Sequence, residues 1–283
     1  MRRRAFLASA GIAALAGCSN GDGSTTATPT PTETGAPNFE LRGARFPGNK
    51  TLNVVTNFII AVENTGSAAG TFRSPLQMKV GDGEWKTAGE VEMPLDAGET
   101  GEWHSPDFLP QYLTTLHFRL GAFDETWSIK IHPRELDFSH YYAVPTGLYI
   151  NVLGGSFEST YSTSGNETAD TTNDTATPAA TTTPVSAPDE KAWAVMQVDV
   201  RNRLEEPHDA PPASSFVLEV DGEQMPQHQE VSANPYEGGE LAGRTVRRGE
   251  LVYAVPEGTR ARDIRLVWEA SLPKGDVKAI WTK

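Results

Sequence analysis

Leu116-His117-Phe118-Arg119-Leu120 and Trp127-Ser128-Ile129-Lys130-Ile131 alternate apolar and polar side chains at period two. Successive side chains on an extended strand point to opposite faces, so each stretch reads as a strand with one buried and one wet face. Working outward, Val198-Asp199-Val200, Val217-Leu218-Glu219-Val220 and Ile264-Arg265-Leu266 repeat the pattern, and Val54-Val55-Thr56-Asn57-Phe58-Ile59-Ile60-Ala61-Val62 is a β-branched apolar run. Turn residues separate these runs at short intervals. No stretch sustains an apolar period of 3.6 with capping residues. The expected fold is all-β, built as sandwiches rather than a barrel.

The two halves carry the same tokens in the same order. Ile60-Ala61-Val62-Glu63-Asn64 matches Val198-Asp199-Val200-Arg201-Asn202, each a strand ending at an asparagine. Met78-Lys79-Val80-Gly81-Asp82-Gly83-Glu84 matches Leu218-Glu219-Val220-Asp221-Gly222-Glu223, where Asp-Gly supplies the positive φ angles of a tight hairpin. Ala97-Gly98-Glu99 ahead of Trp103 matches Arg248-Gly249-Glu250 ahead of Tyr253, and Leu116-His117-Phe118 matches Ile264-Arg265-Leu266. Closing strands follow at Trp127 to Ile131 and Val277 to Trp281. Two tandem sandwiches, 38–133 and 134–283, are expected. Leu148-Tyr149-Ile150-Asn151-Val152 is a first strand for the second, and the Thr/Pro-rich stretch at about 162–188 is then a long disordered insertion within it. In the alternative reading, 138–161 belongs to the first unit and that stretch separates the domains.

The strand Val195 to Asn202, Phe216-Val217-Leu218, and Gly249-Glu250-Leu251-Val252-Tyr253-Ala254-Val255-Pro256 carry a resemblance. With 144–161 they resemble the Ig-like extracellular domains of prokaryotic lipoproteins and secreted immunoprotective antigens. Residues 38–133 are similar to cell-adhesion-related Ig-like modules of archaeal surface proteins. The resemblance implies two Ig-like β-sandwiches and brings no catalytic residue with it.

Arg3-Arg4-Ala5-Phe6-Leu7 opens an Ala-rich apolar run that ends at Leu15-Ala16-Gly17-Cys18. The run is far shorter than the roughly 20 apolar residues a membrane-spanning helix needs, so 1–17 reads as a signal peptide. It resembles a twin-arginine export signal, marked by Arg3, Arg4, Phe6 and Leu7, with a lipobox before Cys18. The resemblance implies export of a folded chain and lipid attachment at Cys18, whose two acyl chains would give a stable anchor. The expected location is the extracytoplasmic face of the cell membrane. Residues 18–37 are small, polar and Pro-rich, and read as a disordered tether.

With 24 Lys+Arg and 37 Asp+Glu the net charge is −13. Residues 1–17 hold three arginines and no acid, so their removal takes it from −13 to −16. Such a surface repels nucleic acid, which is excluded as a partner. Acidic, lysine-poor composition on an exported chain is similar to that of haloarchaeal surface lipoproteins. The single cysteine excludes an intrachain disulfide and a thiolate metal site, leaving stability to apolar cores.

Chemistry-bearing patterns are sparse. His132, Glu135, Asp137 and His140 form the densest possible metal cluster, since a strand would place Glu135 and Asp137 on one face. A polar hinge on an acidic surface explains the same residues, and no metal or cofactor is assigned. No Gly-x-Ser-x-Gly is present; Gly154-Gly155-Ser156 fits a bulge, and Gly238-Gly239 a loop. Sequons at Asn49, Asn166 and Asn173 are glycosylation candidates. Six tryptophans and Tyr141-Tyr142 offer either packing or an exposed recognition surface. The expected function is a non-enzymatic, lipid-anchored cell-surface binding or adhesion-like module contacting an envelope protein or surface polymer. The alternative is a solute- or metal-binding accessory protein of a transporter, with a concave site near His132–Tyr142.

Overall fold

The first eight strands of the computed structural model, which describes residues 35–162 and 184–283, run in this order: β1 (Phe39–Arg45), β2 (Asn49–Thr51), β3 (Ile59–Asn64), β4 (Gly70–Val80), β5 (Lys86–Leu95), β6 (Thr100–His104), β7 (Thr115–Leu120) and β8 (Thr126–His132). A three-stranded sheet, β1-β3-β6, faces a five-stranded sheet, β2-β8-β7-β4-β5. Phe39 on β1 meets Phe72 on β4 edge-on with centroids 5.5 Å apart, and Phe58, just ahead of β3, meets Phe118 on β7 at 4.9 Å. These contacts mark the inner faces, where the apolar half of each alternating strand is removed from water.

The remaining strands are β9 (Arg134–Asp137), β10 (Tyr141–Ala143), β11 (Leu148–Glu158), β12 (Thr160–Tyr161), β13 (Val185–Ser186), β14 (Lys191–Asn202), β15 (His208–Ala210), β16 (Phe216–Val220), β17 (Glu223–Gln224), β18 (Gly239–Leu241), β19 (Val246–Pro256), β20 (Ile264–Leu272) and β21 (Gly275–Thr282). Here β10-β11-β14-β19 faces β17-β16-β20-β21-β9, with β12-β13 and β15-β18 as separate pairs. Tyr142 on β10 packs on Trp268 of β20 at 5.9 Å, and the Tyr253 hydroxyl of β19 donates to the Phe216 carbonyl of β16 at 2.9 Å. Among the described residues there is no α-helix, so the all-β class holds. The apolar core runs on from one set of sheets to the other, and Ala36–Lys283 is a single compact unit.

Strand order repeats between the sets. The sequence β1-β3-β6 corresponds to β11-β14-β19, and β2-β8-β7-β4-β5 to β9-β21-β20-β16-β17. In each set one short strand runs parallel to the last, β2 beside β8 and β9 beside β21. The chain order differs at the start: β2 follows β1, whereas β9 precedes β11.

The matched asparagines explain why each strand stops where it does. Asn64 is buried; its amide donates to the carbonyls of Ala68 and Leu95, and its oxygen accepts from Asn38 N and Gly66 N. Asn202 is buried likewise, donating to Glu206, Leu241 and Ala242 and accepting from Leu204 N. Each side chain thus replaces water for a loop whose backbone has left the ladder.

Three expectations need correction. The run 54–62 is a strand only from Ile59 onward, because the chain turns through Asn53 at φ 56° and leaves Val55 exposed. The Gly-Glu tokens do not superpose. Asn64 N donates to Glu99 O and Asn202 N to Thr245 O, so Gly98 (φ 77°) corresponds to Arg244 (φ 57°). Gly249 is instead required by close approach: a Cβ there would lie 2.4 Å from the Tyr236 Cα. The tight turn is found at Asp221 and Gly222, both with positive φ, whereas in the first set the positive φ falls on Gly81.

Gly154 does sit in a bulge: the β11–β14 register shifts between Val152 and Gly154, and Gly154 has φ 112°. Because β11 and β14 pair, and β12 pairs with β13, the stretch 163–183 connects neighbouring strands of one region. At the other end, Ala36 already accepts a bond from Ser67 N. The export signal, Cys18, the tether up to residue 34, Asn166, Asn173 and most of the Thr/Pro-rich stretch lie outside the described residues.

Candidate functional site

The outer face of the β10-β11-β14-β19 sheet divides into two halves. On the first, Trp193 and Val195 of β14 and Val252 and Ala254 of β19 form a small core with Tyr161, packed against Ala187 and Val231. Glu250 closes this half by accepting from Tyr161 Oη at 2.8 Å, Ser232 Oγ at 2.7 Å and Gln197 Nε2 at 3.0 Å. The chain therefore covers half of its own sheet.

The other half is open and polar. Register places Tyr141, Asn151, Asp199 and Arg248 in one row across four strands, with Ala143, Tyr149, Arg201 and Val246 in the next. Asp199 is buried, although it points away from the main core. Its Oδ1 accepts from Arg201 Nε at 3.2 Å; its Oδ2 accepts from Arg201 Nη2 at 3.1 Å and Tyr141 Oη at 3.2 Å, with Arg248 Nε 3.5 Å away. A two-point clamp of this kind fixes the guanidinium plane. Arg201 also lies over the Tyr141 ring at 4.9 Å, and Arg203 over Tyr149 at 4.1 Å. Arg201 and Arg248 both lie against the Asp199 carboxylate, and Arg203 is held by the Tyr149 ring, in a chain of net charge −13. Val246, 44% exposed, and Leu204, 39% exposed, add apolar surface nearby.

Chemically the open face offers aromatic planes, fixed guanidinium donors and two aliphatic side chains. It offers no nucleophile paired with a base. Tyrosine and arginine are the residue types that carry most binding energy at protein interfaces, and stacking holds them in place before a partner arrives.

The other sequence-nominated residues are dispersed. His132 Nε2 lies 2.8 Å from Asn49 Oδ1, tying β8 to β2. Glu135 accepts from Arg265 at 2.9 Å, while Asp137 and His140 are exposed. Glu135 and Asp137 do share the exposed face of β9, but among the described residues no group of three or more His, Cys, Asp or Glu could hold a metal. The His140 carbonyl, not its ring, is engaged, accepting from Trp281 Nε1 at 2.8 Å. Asn49 is exposed beside the His132 ring. Trp193, Trp268 and Trp281 are buried, and Trp85 lies under Arg119 at 4.4 Å. Tyr141 was singled out in the sequence, but Asp199, Arg201, Arg203 and Tyr149 were not. The available signal was the polar series Gln197, Asp199, Arg201 and Arg203 at period two, which places them on one side of the strand and its extension.

No protein-family model and no curated protein matches the chain. Among solved structures, the yjhA protein of Bacillus subtilis is similar over 52% of this chain and 97% of its own, at 13% identity and a TM-score of 0.36. The ycdA protein of the same species, named as a candidate lipoprotein, is similar over 52% of this chain and 39% of its own, at 11% identity and a TM-score of 0.34. An uncharacterized β-sandwich protein from Clostridium difficile is similar over 53% of this chain and 94% of its own, at 10% identity and a TM-score of 0.33.

Proposed function

We propose that the protein is a non-catalytic surface module, two tandem sandwiches held to the outer face of the membrane through lipid on Cys18. It docks an acidic envelope protein on the Tyr141–Tyr149–Arg201–Arg203 face. The observation that carries this reading is the open half-sheet, where guanidiniums stacked on tyrosines form a positive island on an acidic chain. Arg201 is held by Asp199 and so costs little further ordering on binding. The twin-arginine signal and the acidic, lysine-poor composition support export as a folded chain into a salty medium.

The test is isolation of the full-length chain from its native membrane, beside a Tyr149→Ala/Arg203→Glu variant. The wild-type chain is expected to retain a stoichiometric acidic protein that the variant releases. Retention by both, or by neither, contradicts the proposal.

A further inference from the structure

Along β4 the inner-face positions are Phe72, Ser74, Leu76, Met78 and Val80. The first three are buried, Met78 is half-buried, and Val80 is 49% exposed. The cause is a mismatch between sheets. Five strands lie opposite three, and the facing strand β6 ends at His104. Beyond it, residues 105–114 swing across without filling the gap. A cavity of about 480 Å³ remains, lined by Met78, Val80, Phe108, Leu109, Leu116 and Phe118 among others. Leu109 on its rim is 47% exposed. The volume lies within the roughly 300–1,000 Å³ typical of small-molecule sites.

One wall comes from the other set of sheets. Leu113 N donates to the Asp276 carbonyl at 2.7 Å, and Tyr112 lies against Gly275. This brings Lys274, from the turn between β20 and β21, to the lining. Lys274 is exposed and makes no ion pair among the described residues. The lining also holds one acid, Asp107, whose carboxylate accepts from Asn57 Nδ2 at 2.8 Å and keeps its charge, so an anionic group is accommodated only at the Lys274 end.

We infer that this cavity binds a fatty acid, its hydrocarbon chain between the two sheets and its carboxylate at the Lys274 ammonium. A peptide or sugar would bury amides or hydroxyls against a lining with few polar atoms to meet them, which is costly. A hydrocarbon chain needs none, and it would cover Met78, Val80 and Leu109, which the fold leaves uncovered. The free ammonium selects the anionic end group. The site is separate from the tyrosine–arginine face and does not depend on it.

Isothermal titration calorimetry of the full chain with dodecanoate and with dodecanol, each below its aggregation limit, tests the inference. Saturable one-to-one binding is expected, at least tenfold tighter for dodecanoate. Lys274→Glu is expected to erase that preference, and Val80→Asp to weaken both ligands at least tenfold. Both substitutions are at exposed positions and leave the strands paired, which circular dichroism checks. Absence of saturable binding, equal affinity of the wild-type chain for acid and alcohol, or binding that both substitutions leave within twofold overturns it.

Discussion

Asn64 and Asn202 each hold a loop by bonds that no other side chain of similar size supplies. An amide donates and accepts at once, whereas leucine leaves the same backbone groups dry. Asn202→Leu is expected to cost about 1–3 kcal/mol for each buried group left unsatisfied, and Asn64→Leu a similar amount. Urea unfolding reads this as a lower midpoint at unchanged slope. A second residue-scale effect concerns Tyr142, Tyr236 and Tyr253, whose hydroxyls burial pushes well above the ordinary tyrosine range. The neutral form is the one the fold accommodates. Their contribution is therefore complete below the unfolded value near 10 and declines as pH rises beyond it. Stability is expected to be flat with respect to these groups up to about pH 10. Above that it falls by about 1.4 kcal/mol per pH unit for each tyrosine. Denaturant midpoints measured between pH 8 and 11 check the direction; stability that rises over that interval contradicts it.

Among the elements, β19 depends on Gly249, because residues 235–236 cross directly over it. Tyr236 N donates to Glu250 O at 2.8 Å and its hydroxyl to Pro211 O at 3.0 Å, anchoring that crossing. Gly249→Ala is expected to push the crossing segment off the sheet, at about 1–3 kcal/mol. Faster hydrogen exchange at the Tyr236 amide reports it; unchanged exchange contradicts it. Strand existence was readable from alternation alone, as at β7, β8 and β16, since one wet face suffices to write the pattern. Boundaries were less readable. Val54 and Val55 have strand-like side chains, but the left-handed turn at Asn53 redirects the chain before pairing begins. Gly249 was matched in sequence with Gly98, and in space it is a packing requirement. The open face was illegible for a related reason. Arg201 and Arg203 are two residues apart at the end of β14, but Tyr149 comes from β11 and Tyr141 from β10, and only register brings these to them. Asp199 fits the alternation as a polar, outward position, so nothing local marked it as buried.

For the whole molecule, acidity opposes compaction. A chain of net charge −13 repels itself, and raising ionic strength shortens the screening length from about 10 Å at 0.1 M to about 3 Å at 1 M. Thermal midpoints are expected to rise with potassium chloride across that range, and a fall would contradict the salt-adapted reading. Edges are guarded by the same chemistry. The long edge strand β5 carries Glu90, Glu92 and Pro94, which discourage pairing with a second sheet. The proposed recognition face is the tyrosine–arginine half-sheet, where Arg201 lies over Tyr141 and Arg203 over Tyr149. Its most direct measurement is the titration of a purified acidic partner, isolated with the full-length chain, against wild-type and Tyr149→Ala/Arg203→Glu protein by calorimetry. Loss of the stacked Tyr149–Arg203 pair at the centre of an interface is expected to weaken binding at least thirtyfold, about 2 kcal/mol or more. Affinities that agree within twofold would show that the partner sits elsewhere.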